Sequence, residues 1–385
     1  MPPLSGRATR LLEMHIGLIG PLPPPSGGMA NQTQQLARLL RSEGVEVELL
    51  QTNAPYKPRW VEKLHAIRAL FRLIPYLWRL WHTADRVDLF HVMANSGWSW
   101  HLFAAPAIWI GWLRRTPVVV NYRGGEAEEF FQNSFRWIRP SLKRVAAVVV
   151  PSGFLAEVFR RRNIDVHIVK NVVDTERFIS AGPRQQQRTN APHLLVTRNL
   201  EAIYDIGTAL RALRRIRMTS PGARLTVCGT GPEKDRLEVL ARELGLNSAV
   251  TFTGRLENDR VAELFQTADI MINPSLADNM PISILEAMAS GVPVVSTNVG
   301  GVPYLVTHNV TALLVSPGDD KAMAESVISI LNNTALADSL IKAGYQKIHD
   351  YTWPRVRGQL FAVYHSVLAN TEKYGAGEKD AHRLP

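Results

Sequence analysis

The sequence predicts an α/β fold built from two Rossmann-like, doubly wound domains. The first observation is length, because 385 residues are more than twice the roughly 150 residues of an ordinary domain. The second is a regular alternation of short apolar runs, typical of buried strands, with amphipathic helical segments. The third is that this alternation begins twice, on either side of a segment rich in glutamine. We therefore expect two parallel sheets, each covered by helices on both faces.

The first domain is predicted over residues 1–179. It opens with the strand HIGLIG, a loop rich in proline and glycine, an amphipathic helix around ANQTQQLARLLRS and the strand VEVELLQ. This order is the usual beginning of a Rossmann-like sheet. Four more apolar runs are expected to be strands: DLFHVMA, PVVVNYR, AAVVVPS and VHIVKNV. Each run is followed by polar residues, which would gather at the carboxyl edge of the sheet.

The second domain is predicted over residues 193–353. It follows a linker at 180–192, SAGPRQQQRTNAP, which has neither a hydrophobic period nor core residues. The strands HLLVTRN, ARLTVCGTG, AVTFTGR and DIMINPS then alternate with helical segments. A C-terminal helix over about 354–370 is expected to pack back on the first domain, and 371–385 to form a disordered tail.

Glycine-rich loops are expected at the carboxyl ends of strands in both domains, which would face each other across a central cleft. GPLPPPSGG at 20–28 follows the first strand and precedes a helix, so Gly27 and Gly28 would let backbone amides approach a phosphate or a sugar. CGTGPE, which contains Gly229, and TNVGGVP connect strands to helices in the same way. Such turns are also common without any ligand, so each is weak evidence alone.

Composition limits the class of protein. A net charge of +10 favours anionic partners, and nucleic acid ranks last because zinc-ligand spacing and a helix-turn-helix pattern are missing from the sequence. The single cysteine, Cys228, allows no intrachain disulfide and fits a reducing cytoplasm. We expect no signal peptide, and the longest apolar run, LFAAPAIWIGWL, has 12 residues, too few to span a bilayer.

Basic and aromatic residues concentrate between residues 57 and 82. Six Lys or Arg residues and one acid, Glu62, flank apolar residues that recur every three or four positions. These apolar residues are Trp60, Leu64, Ile67, Phe71, Ile74, Trp78 and Trp81. The pattern fits a surface that touches an anionic membrane. It fits equally a pair of amphipathic helices, broken at Pro75, that pack on their own domain, and both interpretations remain open.

The segment DNMPISILEAMASGVPVVST at 278–297 carries two carboxylates, Asp278 and Glu286, in an otherwise apolar stretch. Pro281 suits the start of a short helix, and Gly291 suits its left-handed end. The apolar runs before and after it predict strand, loop, helix and strand. Asp278 is therefore expected in the loop and Glu286 within the helix. Its apolar neighbours make Glu286 a poor candidate for a free surface charge.

The segments GTGPEKDRLEVLARELGL, VTFTGRL and ADIMINPSLADNMPISILEAMASGVPVVSTNVGGVPYLV, in this order and spacing, strongly resemble the C-terminal half of the family 4 glycosyltransferases of GT-B fold. The family's motif, an acidic residue and a glutamate separated by seven residues, falls on Asp278 and Glu286. KNVVDTERF resembles the family's segment near the hinge, and the resemblance covers about residues 14–365.

The resemblance implies a retaining glycosyltransferase that takes a sugar from a nucleotide-diphosphate donor. Glu286 would accept hydrogen bonds from the donor ribose, and Asp278 would bind a hydroxyl of the donor sugar. The amides of Ile282 and Ser283, at the helix start, would face the diphosphate. Arg198, after the strand HLLVT, matches the family's phosphate-binding arginine and would stabilise charge on the leaving group; the alternative for Arg198 is a surface ion pair.

The sequence departs from the family pattern at several positions. Asp278 stands where glutamate is usual, and Pro281 stands where glycine is common. Tyr204 and Asp205 occupy the place of an expected lysine. Arg123 stands where many members carry a histidine, and we expect it to contact phosphate or sugar, with an ion pair to Glu126 or Glu128 as the alternative. His91 and His101 are expected to be structural.

The predicted function is transfer of a sugar to a saccharide or lipid-linked acceptor in the synthesis of cell-surface polysaccharide, lipopolysaccharide or glycolipid. No metal is expected to be required, because the sequence has no Asp-x-Asp pair. Catalysis would depend on cleft closure and stabilisation of the departing diphosphate. The expected location is the cytoplasm, with peripheral binding to the cytoplasmic face of the membrane left open. The alternatives are a non-catalytic GT-B partner subunit, and a sugar-nucleotide epimerase or phosphorylase of the same fold.

Overall fold

The computed structural model describes residues 14–24, 27–56, 68–178 and 191–381, with side chains of the last helix described as far as residue 370. The chain divides into two compact units. Unit 1 comprises 1–170 and 357–385, and unit 2 comprises 171–356. Each unit contains one six-stranded parallel sheet, as the α/β prediction requires.

The sheet of unit 1 has the strand order β2-β1-β3-β4-β5-β6. Its strands are β1 (His15–Gly20), β2 (Glu46–Gln51), β3 (Leu89–Ala94), β4 (Val118–Tyr122), β5 (Ala147–Val150) and β6 (His167–Ile168). Its helices are α1 (Gly28–Ser42), α2 (Arg68–Thr83), α3 (Ala105–Arg114), α4 (Ala127–Leu142) and α5 (Gly153–Arg160), with a π-helical turn at Trp100–Ala104. Every residue of β3 and β4 is buried, which explains their continuous apolar runs.

The sheet of unit 2 has the order β12-β11-β10-β7-β8-β9. Its strands are β7 (His193–Thr197), β8 (Arg224–Cys228), β9 (Val250–Gly254), β10 (Ile270–Asn273), β11 (Val294–Thr297) and β12 (Leu313–Val315). Its helices are α6 (Thr175–Phe178), α7 (Ile206–Thr219), α8 (Lys234–Glu243), α9 (Asn258–Thr267), α10 (Ile282–Ala289), α11 (Val302–Leu305), α12 (Asp320–Asn332) and α13 (Thr334–Ile348). The last helix, α14, spans Trp353–Ala381.

The apolar faces of these elements form separate cores. One cluster, which includes Phe90, Trp100 and Phe131, fills unit 1. Two clusters cover the two faces of the second sheet, one around Leu210 and the other around Ile284. Helix boundaries follow local chemistry: the Ser152 hydroxyl accepts a hydrogen bond from the amide of Leu155 at the start of α5. The sequence pattern and the packing therefore agree on which faces are buried.

The structure divides the chain at 170/171, whereas the sequence placed the boundary after 179. The segment 171–178 lies in unit 2 because its backbone and side chains bond there. The amide of Val173 donates to the carbonyl of Tyr351 at 2.9 Å, and Phe178 packs edge-on against Phe265. Most of the predicted linker, 180–190, lies outside the described residues.

Two further elements differ from the sequence expectation. Helix α2 continues through Pro75 instead of breaking there, because Tyr76 and Leu80 are buried in the core of unit 1 on the next turn. Helix α14 extends to Ala381, into the segment for which a tail was expected, and residues 382–385 lie outside the described part. Within the described residues, none of the helices is both long and apolar enough to cross a bilayer.

Candidate functional site

The predicted donor residues of unit 2 gather at the carboxyl edge of its sheet. Strands β7 and β10 are neighbours there, with β8 on one side and β11 on the other. The chain order reverses between β7 and β10, and such a switch point forms a crevice between the loops that follow the two strands. Arg198 follows β7, the loop with Asp278 follows β10, and Gly229 follows β8. The candidate site is therefore where open α/β sheets bind ligands.

Arg198 and Asp278 form an ion pair at this edge. The guanidinium of Arg198 donates through Nη2 to Oδ2 of Asp278, and both side chains are nearly buried, at 12% and 10% exposure. The guanidinium also lies over the ring of Tyr204, 4.2 Å from the centroid. Tyr204 thus occupies the position where the sequence pattern lacked a lysine, and it contributes a π face instead of a second positive charge.

The loop that carries Asp278 is held by hydrogen bonds to its own strand and to β11. Ser275 donates from Oγ to Oδ2 of Asp278 at 3.2 Å, and the amide of Asn279 donates to Oδ1 at 3.1 Å. Thr297, at the end of β11, donates to the carbonyl of Ser275 at 2.6 Å. The Asp278 carboxylate is therefore oriented before any ligand arrives.

Glycines let neighbouring loops approach this one at backbone distance. A Cβ on Gly300, whose φ is +51°, would lie 2.1 Å from the carbonyl oxygen of Asp278, and one on Gly301 would lie 1.7 Å from that of Asn279. A Cβ on Gly229 would lie 2.0 Å from the carbonyl oxygen of Arg198. Larger residues cannot be accommodated without moving backbone. Gly229 therefore lets the loop after β8 pack directly against the backbone of Arg198.

Glu286 lies on the second turn of α10 and is partly buried. Burial raises the pKa of its carboxyl to about 7; the negative charge of Asp174 acts in the same direction, and Arg177 and Arg198 oppose it. The described part of the chain supplies no hydrogen-bond donor to this carboxylate. Glu286 is therefore a strong acceptor held in a setting that disfavours its charge.

Three buried polar atoms at the same edge lack hydrogen-bond partners among the described residues: Oγ1 of Thr197, Nε of Arg198 and Oγ of Ser283. Ser283 is only 2% exposed and belongs to the first turn of α10, whose first amides have no partner within the helix. Buried groups of this kind are rare and cost free energy when unpaired. All three belong to the segments that follow or end the neighbouring strands β7 and β10, which also carry Arg198 and Asp278.

The remaining predicted residues lie in unit 1. Gly27 caps α1 with an extended backbone and Gly28 begins that helix. A Cβ on either would meet nothing within 4 Å in the described structure, so space is open in front of the helix. Neither glycine has a positive φ, so the backbone conformation does not require glycine here. What the two glycines provide is the open space in front of α1.

Arg123, at the end of β4, is held by two polar side chains, one on α1 and one on β4. It donates through Nη1 to Oε1 of Gln32 on α1 and through Nε to Oδ1 of Asn121 at 3.1 Å. Burial lowers its pKa to about 10, so it remains charged at neutral pH. Of the two acids proposed as alternative partners, Glu128 bonds Arg162 at 2.9 Å.

The hydrogen bonds continue from Arg123 to the last helix. Because Oδ1 of Asn121 accepts from Arg123, its Nδ2 donates to Nε2 of His91 at 3.1 Å. Nδ1 of His91 then carries the proton and faces the hydroxyl of Tyr364 on α14 at 2.7 Å. Burial and the charge of Arg123 lower the pKa of His91 to about 3. His91 is therefore neutral and structural, and it links α14 to Arg123.

The sequence prediction included Arg198, Asp278, Ser283 and Glu286 but not Thr197 or Ser275, and it did not include the contact between Tyr204 and Arg198. Thr197 precedes Arg198 directly in the sequence and Ser275 lies three positions before Asp278, yet nothing local distinguishes an unpaired hydroxyl from a paired one. His101, expected to be structural, contacts the rings of Trp98 and Phe130. The described residues contain no group of three or more His, Cys, Asp or Glu that could hold a metal.

Comparison with family models matches both halves of the chain. The model described as glycosyl transferases group 1 matches residues 182–347, and the model described as glycosyltransferase family 4 matches residues 26–177. A glycogen synthase of Mycobacterium tuberculosis is 31% identical over 54% of this chain. The match spans about half, 50%, of that relative's length. The phosphatidyl-myo-inositol mannosyltransferase of Mycobacterium leprae is 24% identical over 94% of this chain and 99% of its own.

Comparison with solved structures supports the same fold. The sucrose-phosphate synthase of Thermosynechococcus elongatus superimposes with a TM-score of 0.72 at 22% sequence identity. The superposition covers 93% of this chain and 100% of the synthase chain. Anabaena HepE, solved in complex with UDP and glucose, gives a TM-score of 0.71 at 18% identity and covers 92% and 100% of the two chains. The two parallel sheets are therefore those of a GT-B fold.

Proposed function

We propose that this chain, which belongs to the family 4, group 1 glycosyltransferases, transfers a sugar from a nucleotide-diphosphate sugar to a saccharide or lipid-linked acceptor, with retention at the anomeric carbon. One observation carries the proposal. Thr197, Arg198 and Ser283 present buried polar atoms without partners beside an oriented carboxylate, at the switch point of the second sheet. A nucleotide-sugar supplies phosphate oxygens and hydroxyls that match them.

Each group has a role in this proposal. The diphosphate accepts hydrogen bonds from Arg198, from the Ser283 hydroxyl and from the free amides of Ile282 and Ser283 at the start of α10. The donor sugar donates a hydroxyl to Asp278, and the ribose donates hydroxyls to Glu286. As the glycosidic bond breaks, negative charge grows on the diphosphate, and the positive charge of Arg198 stabilises it. Gly229 keeps the β8 loop close to Arg198, and no metal is required.

The first donors to test are UDP-sugars. This choice is supported by the solved complexes of Anabaena HepE with UDP and with UDP-glucose, a protein that shares the fold. In unit 1, Gly27 and Gly28 leave open space before α1 and Arg123 is charged and held in place. We propose that these residues contact a phosphate or a sugar.

The acceptor is proposed to be lipid-linked, and the protein to bind the cytoplasmic face of the membrane peripherally. Support comes from the apolar side chains of α2. Those of Phe71, Ile74, Trp78 and Trp81 are 40% to 63% exposed, so they are not part of the core of unit 1. Trp60, Leu64 and Ile67 lie outside the described residues. The M. leprae relative that matches nearly the whole chain is named phosphatidyl-myo-inositol mannosyltransferase, and the lipid in that name supports the same proposal.

A second candidate, a non-catalytic partner subunit, is favoured by one observation. Tyr204 and Asp205 stand where the family pattern has a phosphate-binding lysine, and the guanidinium of Arg198 already lies over the Tyr204 ring. Such a subunit would bind a nucleotide without turning over a donor. Measuring turnover as well as binding separates the two functions.

The test is a thermal-shift screen of nucleotide-sugars followed by turnover assays on those that bind. A donor at 100 times its dissociation constant stabilises by about 2.7 kcal/mol. Ser283→Ala should leave the free protein at least as stable as the wild type, because the buried hydroxyl it removes is unpaired, yet reduce the shift. The matched control is Ser290→Ala at the C-terminal end of the same helix, which removes a hydrogen bond to the carbonyl of Phe178 (3.1 Å) and should destabilise the free protein while the shift remains.

Three outcomes identify a different function, and a fourth removes one residue from the proposed site. Binding without turnover for any donor and acceptor identifies the partner subunit. Conversion of a donor to an epimer without an acceptor identifies an epimerase, and phosphate-dependent release of a sugar phosphate identifies a phosphorylase. An equal shift for Ser283→Ala and the wild type would remove Ser283 from the donor site.

A further inference from the structure

Unit 1 holds a highly exposed tryptophan, Trp98, in the segment that follows β3. Its side chain is 79% exposed, whereas Trp100, two positions later, is completely buried. Strand β3 is a central strand of its sheet, and Trp98 follows the carboxyl end of the strand, where open α/β sheets bind ligands. Arg123 and the two glycines before α1 follow neighbouring strands at the same edge. We call residues 95–98 the β3 loop.

The β3 loop is a tight turn and not a loose connection. Gly97 has a φ of +69°, a conformation that favours glycine, and its carbonyl accepts a hydrogen bond from the amide of Trp100 at 3.0 Å. The π-helical turn Trp100–Ala104 follows directly, and π-helical turns are frequent at functional sites. Trp98 is therefore held out from the surface by a turn whose next tryptophan is fixed in the core.

The β3 loop is also fastened to the segment that carries Arg123. The hydroxyl of Ser96 lies 2.7 Å from that of Tyr122, and the amide of Arg123 donates to the carbonyl of Ala94 at 2.9 Å. A Cβ on Gly124 would lie 2.3 Å from the hydroxyl oxygen of Ser96. The segments after β3 and β4 therefore pack directly against each other and form one surface.

The indole ring of Trp98 is braced from the core side. The ring of His101 meets it edge-on, with the centroids 6.2 Å apart at an interplanar angle of 69°. His101 in turn contacts the ring of Phe130, 6.1 Å away between centroids, and Phe130 is buried in the core of unit 1. Most of the indole surface stays open while its orientation is supported, which is the condition for a preorganised aromatic contact.

Polar groups and open space lie next to this ring in the sequence. Asn95 is exposed, and its Oδ1 accepts from the amide of Ser96 at 2.8 Å. The Asn95 Nδ2 group has no hydrogen-bond partner among the described residues. A Cβ on Gly97 or Gly125 would meet nothing within 4 Å in the same part of the chain. The β3 loop thus offers an apolar face, a hydrogen-bond donor and room for a ligand.

A pyranose ring has the complementary chemistry. One face of such a ring presents C–H groups, which are attracted to the negative face of an aromatic ring, and its rim presents hydroxyls. Residues 95–99, NSGWS, carry no charge, which favours a neutral sugar over an anionic membrane as the partner of Trp98. The α2 stripe differs in this respect, since Arg72 and Arg79 lie within it.

We propose that Trp98 is the platform on which a pyranose ring of the acceptor stacks, with the Asn95 amide donating to one of its hydroxyls. The inference deepens the proposed function and rests on it. It states that the acceptor, free or lipid-linked, presents a sugar ring to the carboxyl edge of unit 1. Trp98 would then determine which acceptors are used without taking part in donor binding.

The first test measures binding of simple pyranosides by saturation-transfer NMR. The probes are methyl α-D-mannopyranoside, methyl β-D-glucopyranoside and methyl β-D-galactopyranoside, with glycerol as an acyclic polyol. At least one pyranoside should bind the wild type through the protons of one ring face, and glycerol should not bind. Trp98→Leu should weaken this binding roughly 5- to 20-fold, and Trp98→Phe, which keeps an aromatic ring, should lose clearly less.

The matched control is Trp137→Leu, because Trp137 on α4 is 78% exposed and lies outside the β3 loop. It should bind the pyranoside as the wild type does. Absence of binding for all three pyranosides, equal binding of glycerol, or equal losses in Trp98→Leu and Trp137→Leu would overturn the proposal. So would a Trp98→Leu variant that loses sedimentation with phosphatidylglycerol vesicles but keeps pyranoside binding, because Trp98 would then belong to a membrane surface.

A second test separates failure of this proposal from failure of the proposed function. Donor hydrolysis without an acceptor and transfer to the bound pyranoside are measured separately. Trp98→Leu should keep the wild-type melting temperature and hydrolysis, since its side chain is exposed and the donor residues belong to unit 2, while KM for the pyranoside rises roughly 5- to 20-fold. Loss of hydrolysis in this variant would contradict a role limited to the acceptor.

The two proposals then fail in different ways. A wild-type protein that binds a pyranoside through Trp98 but turns over no donor would keep the sugar site and lose the glycosyltransferase proposal. A wild-type protein that turns over a donor but binds none of the pyranosides would keep the glycosyltransferase proposal and lose the sugar site.

Discussion

Each unit carries an arginine at the carboxyl end of a central strand. The two arginines differ in how much of their hydrogen-bonding capacity the protein itself uses. Arg123 of unit 1 is joined through Asn121 and His91 to the hydroxyl of Tyr364, in a continuous chain of hydrogen bonds. Arg198 of unit 2 pairs with Asp278 but keeps a buried Nε without a partner. A completed network fixes a side chain in advance, whereas an incomplete one leaves binding energy for a ligand.

The strongest test of this comparison is Arg198→Ala. We expect kcat to fall roughly 100- to 1000-fold, as when a donor to developing charge is lost, because the charge on the leaving diphosphate grows in the transition state. KM should change much less. Arg198→Lys keeps the charge and should recover part of the loss. A change confined to KM would mean that Arg198 binds the ground and transition states equally.

Removing either carboxylate charge should have the next largest effect. Asp278→Asn and Glu286→Gln each weaken a hydrogen bond between a charged acceptor and a donor hydroxyl, worth about 1.5–3 kcal/mol, so turnover should fall roughly 10- to 100-fold. Circular dichroism should report an unchanged fold. Wild-type turnover in both variants would show that these carboxylates do not contact the donor.

The raised pKa of Glu286 predicts a separation of activity and stability. Between an unfolded-state pKa near 4.5 and the folded-state value of about 7, the folded protein holds a proton that the unfolded chain has lost. Stability therefore falls as pH rises through this window and is constant above it. Glu286→Gln cannot ionise, so it does not lose stability in this way. It should melt at a higher temperature than the wild type at pH 8, and the difference should vanish below pH 4.5.

Activity should follow the opposite course. The ionised carboxylate is the stronger acceptor, so kcat/KM for the donor should rise with pH up to about 7, and Glu286→Gln should lack this rise. Titration of both proteins from pH 5 to 9 measures it. A variant that melts below the wild type at pH 8 would contradict the burial argument, independently of activity.

Local patterns predicted the fold and several residues of the candidate site, and the limits have a physical cause. Asp278 and Glu286 could be placed in a loop and a helix because strand, loop and helix lie within twenty residues, where periodicity and the Pro281 and Gly291 signals act locally. The contact between Arg198 and Asp278 spans 80 positions, so the sequence indicated both residues but not their pairing. Whether a buried hydroxyl such as that of Thr197 is paired depends on tertiary packing alone.

Helix α2 shows a similar limit in unit 1. Its apolar residues occupy more than one face, so periodicity could not decide which face is core. Tyr76 and Leu80 are buried, while Ile74 and Trp78 are each 63% exposed. The buried face holds the helix together across Pro75, and the exposed face became visible only in the structure.

The completed network of unit 1 can be tested with Tyr364→Phe. The variant removes the partner of His91 Nδ1, which frees His91 and Asn121 to reorient and lets Arg123 move. We expect kcat/KM to fall roughly 3- to 10-fold, at a stability cost of about 1 kcal/mol. Tyr76→Phe is the matched control, because Tyr76 is also buried in unit 1 and makes one hydrogen bond, to the carbonyl of Phe103 at 2.8 Å. Equal loss of activity in both variants would indicate a general effect of destabilisation rather than positioning of Arg123.

The smallest expected effect concerns Tyr204, which lies against the guanidinium of Arg198. Its ring stabilises the Arg198 guanidinium by a cation–π contact, worth about 0.5–1 kcal/mol at a partly exposed position, and keeps it aligned with Asp278. Tyr204→Leu removes the π face that aligns Arg198, so kcat should fall roughly 2- to 5-fold while KM for the donor changes little. Tyr204→Phe keeps the ring and should have wild-type steady-state kinetics. If Tyr204→Phe lost as much kcat as Tyr204→Leu, the hydroxyl would be the group that matters, and Tyr204 would contact the donor directly instead of acting through Arg198.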